Sequence, residues 1–294
     1  MIGQRVCASL AFSLVAGQAI AAPITFNTGL PVGQGKFIVR EQIVVSRSGD
    51  DPLGMGRKTD SRSLLSVVAY GVSAKLALFT VLPYTSKRAE SLVGSERSSD
   101  GWGDLTVFGR YTLYQRDWSG RTLRVAGIAG LKAPTGSDNE SDALGRLPAA
   151  LQPGTGSWDG FVGGVVSYQT LAFGLDAQLS YRQNREANGF EAGNETRLDV
   201  SYQHRLRPSA LTADTRGFLY GVLELNTVYR DQNKQNGGSV DDSGGTTVFI
   251  TPGVQYATRK LIAEIAVQIP IVQNLKGNAL ENDFVVHAGF RINF

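Results

Sequence analysis

The sequence predicts an all-β fold, a 12-stranded antiparallel transmembrane β-barrel in meander order, preceded by a cleaved signal peptide. Three observations carry this expectation. Apolar residues recur with period two over most of the chain, tight turns alternate with long polar loops, and the sequence stops in mid-pattern on "HAGFRINF", residues 287–294.

The elements follow in chain order. Arg5 precedes the apolar run "VCASLAFSLVAGQAIA", which closes on the small-residue pattern Ala19-Ile20-Ala21. Residues 1–21 therefore read as a signal peptide, since so short a run with a cleavage-like end falls below the roughly 20 apolar residues of a spanning helix. Cys7 is the single cysteine and lies in that segment, so the exported chain is expected to fold without a disulfide. Of 29 lysines and arginines, removal of Arg5 leaves 28 against 26 acidic residues, which gives no electrostatic reason to expect a nucleic-acid partner. Beyond the signal no run of 18 residues lacks a charge, which argues against helical spans. Residues 22–35, "APITFNTGLPVGQG", mix Pro, Gly and scattered apolar side chains and are expected as a periplasmic or lumenal lead-in. Inside the barrel they would form a constriction.

Residues 36–294 form the expected barrel, with strands near 36–47, 61–73, 74–86, 102–115, 121–132, 157–169, 171–183, 195–207, 217–230, 245–257, 260–271 and 282–294. The alternation is plain in the seventh, where Phe173, Leu175, Ala177, Leu179 and Tyr181 are interleaved with Gly174, Asp176, Gln178, Ser180 and Arg182. Gaps of a few residues follow the second, sixth and tenth strands, while "SGDDPLGMGRKTD", "KRAESLVGSERSSDG" and "APTGSDNESDALGRLPAALQPGTG" are long and polar. A soluble sandwich also alternates, but it has no rule that puts tight turns at one end and long loops at the other. A barrel in hydrocarbon does, and it must close so that no backbone N–H or C=O is left unpaired. The last strand is then expected to pair with the first. Aromatic residues point to two girdles: Trp102, Trp158, Tyr181, Tyr229, Phe249 and Phe284 toward the long loops, and Tyr114, Trp118, Tyr168, Phe173, Tyr256 and Phe294 toward the turns.

"HAGFRINF" resembles the C-terminal assembly signal of outer-membrane barrels, carried by His287, Gly289, Ile292 and Phe294. The resemblance implies recognition by the barrel-assembly machinery of a Gram-negative bacterium. "GWGDLTVFGRYTLY" (101–114), "LKAPTG" (131–136) and "GTGSWDGFVGGVVSY" (154–168), in this order and spacing, resemble the outer-membrane family called MetA-pathway of phenol degradation proteins. That resemblance implies an outer-membrane barrel with a transport role and supplies no substrate or binding residues. The same pieces also have a structural reading: Pro134 and Gly136 end a strand, and the fourth strand would turn Asp104, Thr106, Phe108, Arg110, Thr112 and Tyr114 inward.

A charge at the lipid midplane costs roughly 2 to 4 kcal/mol, so the charged phase of each strand should face the lumen. Those positions are Arg40, Asp104, Arg110, Arg124, Lys132, Asp176, Arg182, Arg197, Asp199, Arg205, Glu224, Glu264, His287 and Arg291, mixed in sign with a basic majority. They either line a water-filled path or pair across a narrow lumen. Arg40 and Glu41 are adjacent, so one of them must point outward unless a bulge intervenes. The expected function is passive passage of small molecules, aromatic or anionic, without a cofactor, and the alternative is a non-conducting structural or surface-interaction barrel. The expected partners are outer-membrane lipid, the assembly machinery and a small solute. No GxSxG, HExxH, P-loop or zinc spacing appears, and His204 and His287 fall on opposite strand faces, so neither catalysis nor a metal site is expected. Asp138, Glu140 and Asp142 alternate in a loop that lacks the glycine and distal glutamate of a calcium-binding loop, and read as solvated.

Overall fold

The computed structural model describes residues 21–90, 96–212 and 215–294. Apart from Ala21, the expected signal peptide lies outside the described residues. The main sheet contains β1 (Phe37–Asp50), β2 (Lys58–Gly71), β3 (Leu76–Glu90), β4 (Glu96–Trp102), β5 (Leu105–Trp118), β6 (Arg121–Ala133), β7 (Asp159–Thr170), β8 (Phe173–Gln183), β9 (Glu195–Arg207), β10 (Gly217–Arg230), β11 (Gly245–Thr258), β12 (Leu261–Leu275) and β13 (Glu281–Asn293).

β4 and β5 are two pieces of one stave: β4 pairs with Tyr84–Glu90 of β3, and β5 with Leu76–Val81. The sheet counts 13 strands but 12 staves. β13 runs antiparallel to β1 from Asn293 opposite Ile38 to Glu281 opposite Asp50, so the barrel closes, while β4, toward the long loops, pairs with β3 on one side. The Phe294 amide donates to the Phe37 carbonyl at 2.9 Å, which brings the start of the first strand and the end of the last together on the turn side. Gly289 is needed there, since a Cβ would lie 2.4 Å from the Glu41 carbonyl oxygen.

The interior is polar and the outside apolar, the reverse of a soluble protein. Gln203, Gln255, Glu224, Asn226, Thr251 and Asp176 are fully buried, while Leu113, Val162, Leu179 and Ile265 each expose more than half of their surface. A two-residue side-chain period on every stave produces this inversion without any element changing type.

The strands lie where the sequence puts them, with three differences. β4 begins at Glu96, earlier than expected. Its sequence "ERSSDGW" is polar on both faces, so the ladder continues where the apolar period has faded. In β5 the register shifts between Thr112 and Tyr114, which turns Tyr114 outward, 48 % exposed, against the inward expectation. Beyond the bulge Asp117 faces inward, where it meets Arg124 at 2.7 Å. Phe249, expected in a girdle, is buried on the inward face of β11 beside another register shift. No bulge falls at Arg40-Glu41. Arg40 therefore faces the lumen, and Glu41 faces outward, where its carboxylate accepts a hydrogen bond of 2.8 Å from Ser66.

Candidate functional site

The lumen is the candidate site, and residues 21–35 occupy it. Pro23 and Pro31 bracket a stretch that forms no strand, so its buried N–H and C=O groups must find partners elsewhere. The inward side chains of the barrel supply them. The Gln255 amide bonds both ways with Ala22, accepting at 3.1 Å and donating at 2.8 Å. The Glu224 carboxylate accepts from the amides of Ile24 (2.7 Å) and Thr25 (3.2 Å) and from the Thr25 hydroxyl (2.5 Å). Arg40 and Gln42 donate to the Ile24 carbonyl at 2.5 and 3.2 Å. Farther along, Gln178 accepts from the Asn27 amide at 3.2 Å, Asp176 from the Thr28 hydroxyl at 2.9 Å and Ser167 from the Gly29 amide at 2.6 Å. Arg110 then donates to the Leu30 carbonyl at 2.5 Å. Two apolar anchors complete the seating: Ile24 packs on Val222 and Ala266, and Val32 on Ala69, Ala77 and Phe79.

The fourteen positions expected to line the lumen divide by what they meet. Arg40 and Arg291 converge on the two oxygens of Glu264, at 2.6 and 2.8 Å. Lys132 pairs with Asp104 at 3.1 Å and with Asp159. Arg197 lies 3.4 Å from Asp199 and 3.9 Å from Glu195, and Arg124 pairs with Asp117. Asp176 and Glu224 hold the threaded segment, and the Arg110 guanidinium also stacks 4.7 Å above the Phe79 ring. His287 contacts Gln268 at 3.0 Å. Arg182 is exposed and lies 5.7 Å over the Phe161 ring, and Arg205 is half-buried near the turn end of β9. Charge alone therefore missed much of the lining. Gln42, Gln178, Gln203, Gln255, Asn226, Thr251, Ser167 and Ser201 are buried, and their signal was simply membership of the inward phase. Of the assembly-signal residues, Phe294 is exposed, Ile292 is half-buried, and His287 and Gly289 fall on the lumen side of β13.

The three sequence pieces around Gly101, Leu131 and Gly154 meet at one point on the long-loop side. Asp104 accepts from the Gly136 amide (3.0 Å), the Thr155 amide (2.9 Å) and the Thr155 hydroxyl (2.7 Å). Backbones touch here: a Cβ on Gly136 would lie 2.7 Å from the Gly103 carbonyl carbon, and one on Gly154 would lie 2.6 Å from that of Gly136. The loop between β6 and β7 is thereby fastened to the wall, and Lys87 adds a bond of 2.7 Å to the Gln152 carbonyl. Outside the membrane-spanning part, ion pairs staple the loops. The Arg57 guanidinium holds the Asp51 carboxyl well below the usual carboxylate range, and Arg97 lowers that of Asp142 in the same way.

Toward the long loops the lumen keeps a cavity of about 160 Å³. Phe26, Ile128, Phe161, Gln178, Arg182 and Arg197 are among the residues that line it.

Among solved structures, the COG4313 outer membrane channel from Pseudomonas putida F1 superposes with a TM-score of 0.69 at 17% identity, covering 93% of this chain and 100% of that one. The β domain of the Bordetella autotransporter Brka gives a TM-score of 0.49 at 13% identity, covering 89% of this chain and 100% of that one. At these identities the likeness to the first speaks for the fold alone. No curated protein sequence matches the chain. Residues 49–270 of the 294 match the family described as "Putative MetA-pathway of phenol degradation". With more than half of its length matched, and with the glycine and aspartate pieces of the sequence joined at one anchor on a closed barrel, the chain belongs to that family.

Proposed function

We propose that the protein is an outer-membrane channel for passive passage of small molecules, exported through a signal peptide over residues 1–21 and gated by its own lumenal segment, residues 22–35. The observation that carries this reading is how the segment is held. Residues 22–30 are bound to the wall through side-chain heads of the lining, with no strand ladder among the described residues. Such a seat releases by rotamer changes, whereas a ladder would require the barrel to open. The polar lining favours a hydrated route for solute once the segment shifts. The COG4313 relative is called an outer membrane channel, and its shared architecture is compatible with the same role here.

Paired charges favour a second reading. Arg40, Arg291 and Glu264 satisfy one another, as do Lys132, Asp104 and Asp159, in the way expected of a closed structural barrel. Planar-bilayer recording separates the two readings. Passage predicts discrete conductance steps and slower uptake of small aromatic or anionic solutes in a deletion strain. No conductance together with unchanged uptake of every solute tested would leave the structural reading. Assembly is tested separately: deletion of Phe294 should lower the yield of folded, heat-modifiable barrel in the outer membrane far more than it alters unit conductance. Normal insertion of the truncated chain would show that the C-terminal strand is not the assembly signal.

A further inference from the structure

The short-turn end of the barrel is basic, and neither the threaded segment nor the paired lumenal charges balance it. Four tight hairpins close this end, after β2, β5, β7 and β11. Their turns and flanking residues carry Lys75, Arg116, Arg121, Arg259 and Lys260, all exposed and none in an ion pair among the described residues. Among the described residues of the same hairpin ends Asp117 is the one acid, and it turns inward to Arg124 at 2.7 Å. At the β5–β6 hairpin two of the cations meet at a single ring: the Arg116 and Arg121 guanidinium carbons lie 4.8 and 5.0 Å over Trp118. The register sets the direction in which this group faces. Tyr114 is opposite Val125, Arg116 opposite Leu123 and Trp118 opposite Arg121, so beyond the bulge all of them share the outer face with the exposed Tyr114. Each ring contact favours a cation, but two like charges at one ring repel each other, and an indole supplies no anion to offset them. The guanidinium N–H groups of both arginines have no acceptor among the described residues.

We propose that Arg116, Trp118 and Arg121 form a site for the headgroup of an anionic phospholipid in the periplasmic leaflet, its phosphate taken by the two guanidinium groups. The short turns of outer-membrane barrels face the periplasm, and a tryptophan ring prefers the boundary between apolar and wet surroundings. Toward the membrane the same face continues with the exposed Leu113 and Tyr114, against which an acyl chain can lie. The arginine fork matches phosphate oxygens geometrically as well as in charge. An anionic headgroup suits the site better than a zwitterionic one. The ammonium of phosphatidylethanolamine would approach two guanidinium groups, and Asp117, the acid of this hairpin, is turned away to the lumen. The neutral alcohol of phosphatidylglycerol meets no such repulsion. The site requires a barrel that spans the outer membrane, and it stands whether or not solute passes through the lumen.

The test uses the full-length protein in phosphatidylcholine nanodiscs, into which phosphatidylglycerol or phosphatidylethanolamine with a spin label high on one acyl chain is titrated. The chain has three tryptophans, and Trp102→Phe with Trp158→Phe leaves Trp118 as the source of the fluorescence whose quenching is read. Half-maximal quenching by phosphatidylglycerol is expected at a mole fraction about tenfold lower than by phosphatidylethanolamine, in line with the attraction of two surface arginines for one anionic headgroup. The difference should shrink in high salt. Arg116→Gln with Arg121→Gln should bring phosphatidylglycerol to the level of phosphatidylethanolamine, whereas Arg259→Gln with Lys260→Gln should keep the preference. Equal quenching by the two lipids, or a preference that survives the loss of both Arg116 and Arg121, would overturn the site. Loss of the preference in the Arg259 and Lys260 variant would overturn it in favour of a diffuse attraction by the whole basic end. Native mass spectrometry of the wild-type protein repeats the comparison without any replacement: phosphatidylglycerol adducts should outlast those of phosphatidylethanolamine, and equal retention counts against the site. Bilayer recording keeps this inference apart from the channel reading. Neutralising Arg116 and Arg121 should leave unit conductance unchanged, so a missing lipid preference sinks the site alone and a missing conductance sinks the channel alone.

Discussion

Two segments without main-sheet pairing lie against the barrel wall, and they are attached by different means. The loop between β6 and β7 is fixed by backbone meeting backbone: Gly136 against Gly103, and Gly154 against Gly136, with Asp104 clamping three donors. Residues 22–30 are fixed by side-chain heads, chiefly Glu224, Gln255, Asp176 and Arg40, each reaching in to a backbone group or hydroxyl. The end of the segment next to β1 meets backbone at Gly71, where an added Cβ would lie 2.1 Å from the Gly33 carbonyl oxygen and the Gly35 amide donates to the Gly71 carbonyl at 2.8 Å. The glycine attachment of the loop leaves no room for a single added carbon, so it cannot slide. The side-chain attachment of residues 22–30 leaves the wall intact when it lets go. A barrel can therefore carry a permanent rim and a removable filling in one polar interior, and the nature of the contact, rather than the depth of burial, tells them apart.

The largest effect expected from breaking this contrast comes from deleting residues 22–35 with residues 1–21 retained. The lining then faces water in place of the segment, and unit conductance in planar bilayers should rise severalfold while the barrel stays folded and heat-modifiable. An unchanged conductance would mean that the segment obstructs nothing. Next in size is Gly136→Val, which forces a branched side chain into backbone at 2.7 Å. Overpacking of this kind costs about 1 to 3 kcal/mol and more where the neighbour is backbone, so the unfolding midpoint in denaturant should fall and loop cleavage by protease should rise, with the segment still seated. A variant as stable as the wild type would show that the glycine contact is slack. A smaller effect is expected from Glu224→Gln. The shape is retained, but the segment's donors use both carboxylate oxygens, and in glutamine one of these becomes an NH2 group that cannot accept while the bonds to the other become neutral, a loss of at least about 1.4 kcal/mol from the seat of the segment. Brief openings in single-channel traces should become roughly tenfold more frequent, as that free energy implies, and global stability should change little. If openings were no more frequent, the hold would lie elsewhere on the segment.

The barrel was legible in the sequence because its cause is local: a two-residue period repeated stave after stave, with charge confined to one phase. Closure followed from the backbone groups that hydrocarbon leaves unpaired. Legibility failed where a single residue is inserted. The bulge after Thr112 reverses every later side chain of β5, so Tyr114 turns outward and Asp117 inward without any mark in composition. It also failed for neutral polar residues, because Gln255 or Asn226 on a strand carries no obligation to be buried, while Glu264 in a membrane does. The seat of residues 21–35 was beyond periodicity altogether. A prolyl segment without alternation gives no register, and its partners are side chains that lie up to 268 residues away along the chain.

A third and weaker attachment sharpens the contrast at its low end. The loop between β1 and β2 is held by Arg57, which donates to Asp51 at 2.6 Å and to the Asn278 carbonyl at 2.7 Å. The Arg57 hydrogen bond holds the Asp51 carboxyl below its ordinary value, so this staple is intact above the ordinary carboxylate pKa of about 3.9 and weakens as pH falls below it. The seat of the segment and the glycine anchor have no such exposed acid at their centre. Cleavage of the 51–57 loop by an acid-active protease, corrected for the intrinsic pH profile of the protease on an unstructured peptide, should therefore stay flat from about pH 7 to pH 5 and rise below about pH 4. In Arg57→Gln the cleavage should already be raised at neutral pH, and the acid step should disappear. An acid step of equal size in both proteins would place its origin in another group, and would leave the loop held by its backbone turn, Gly54 N–H to Asp51 carbonyl at 2.9 Å, instead of by the ion pair.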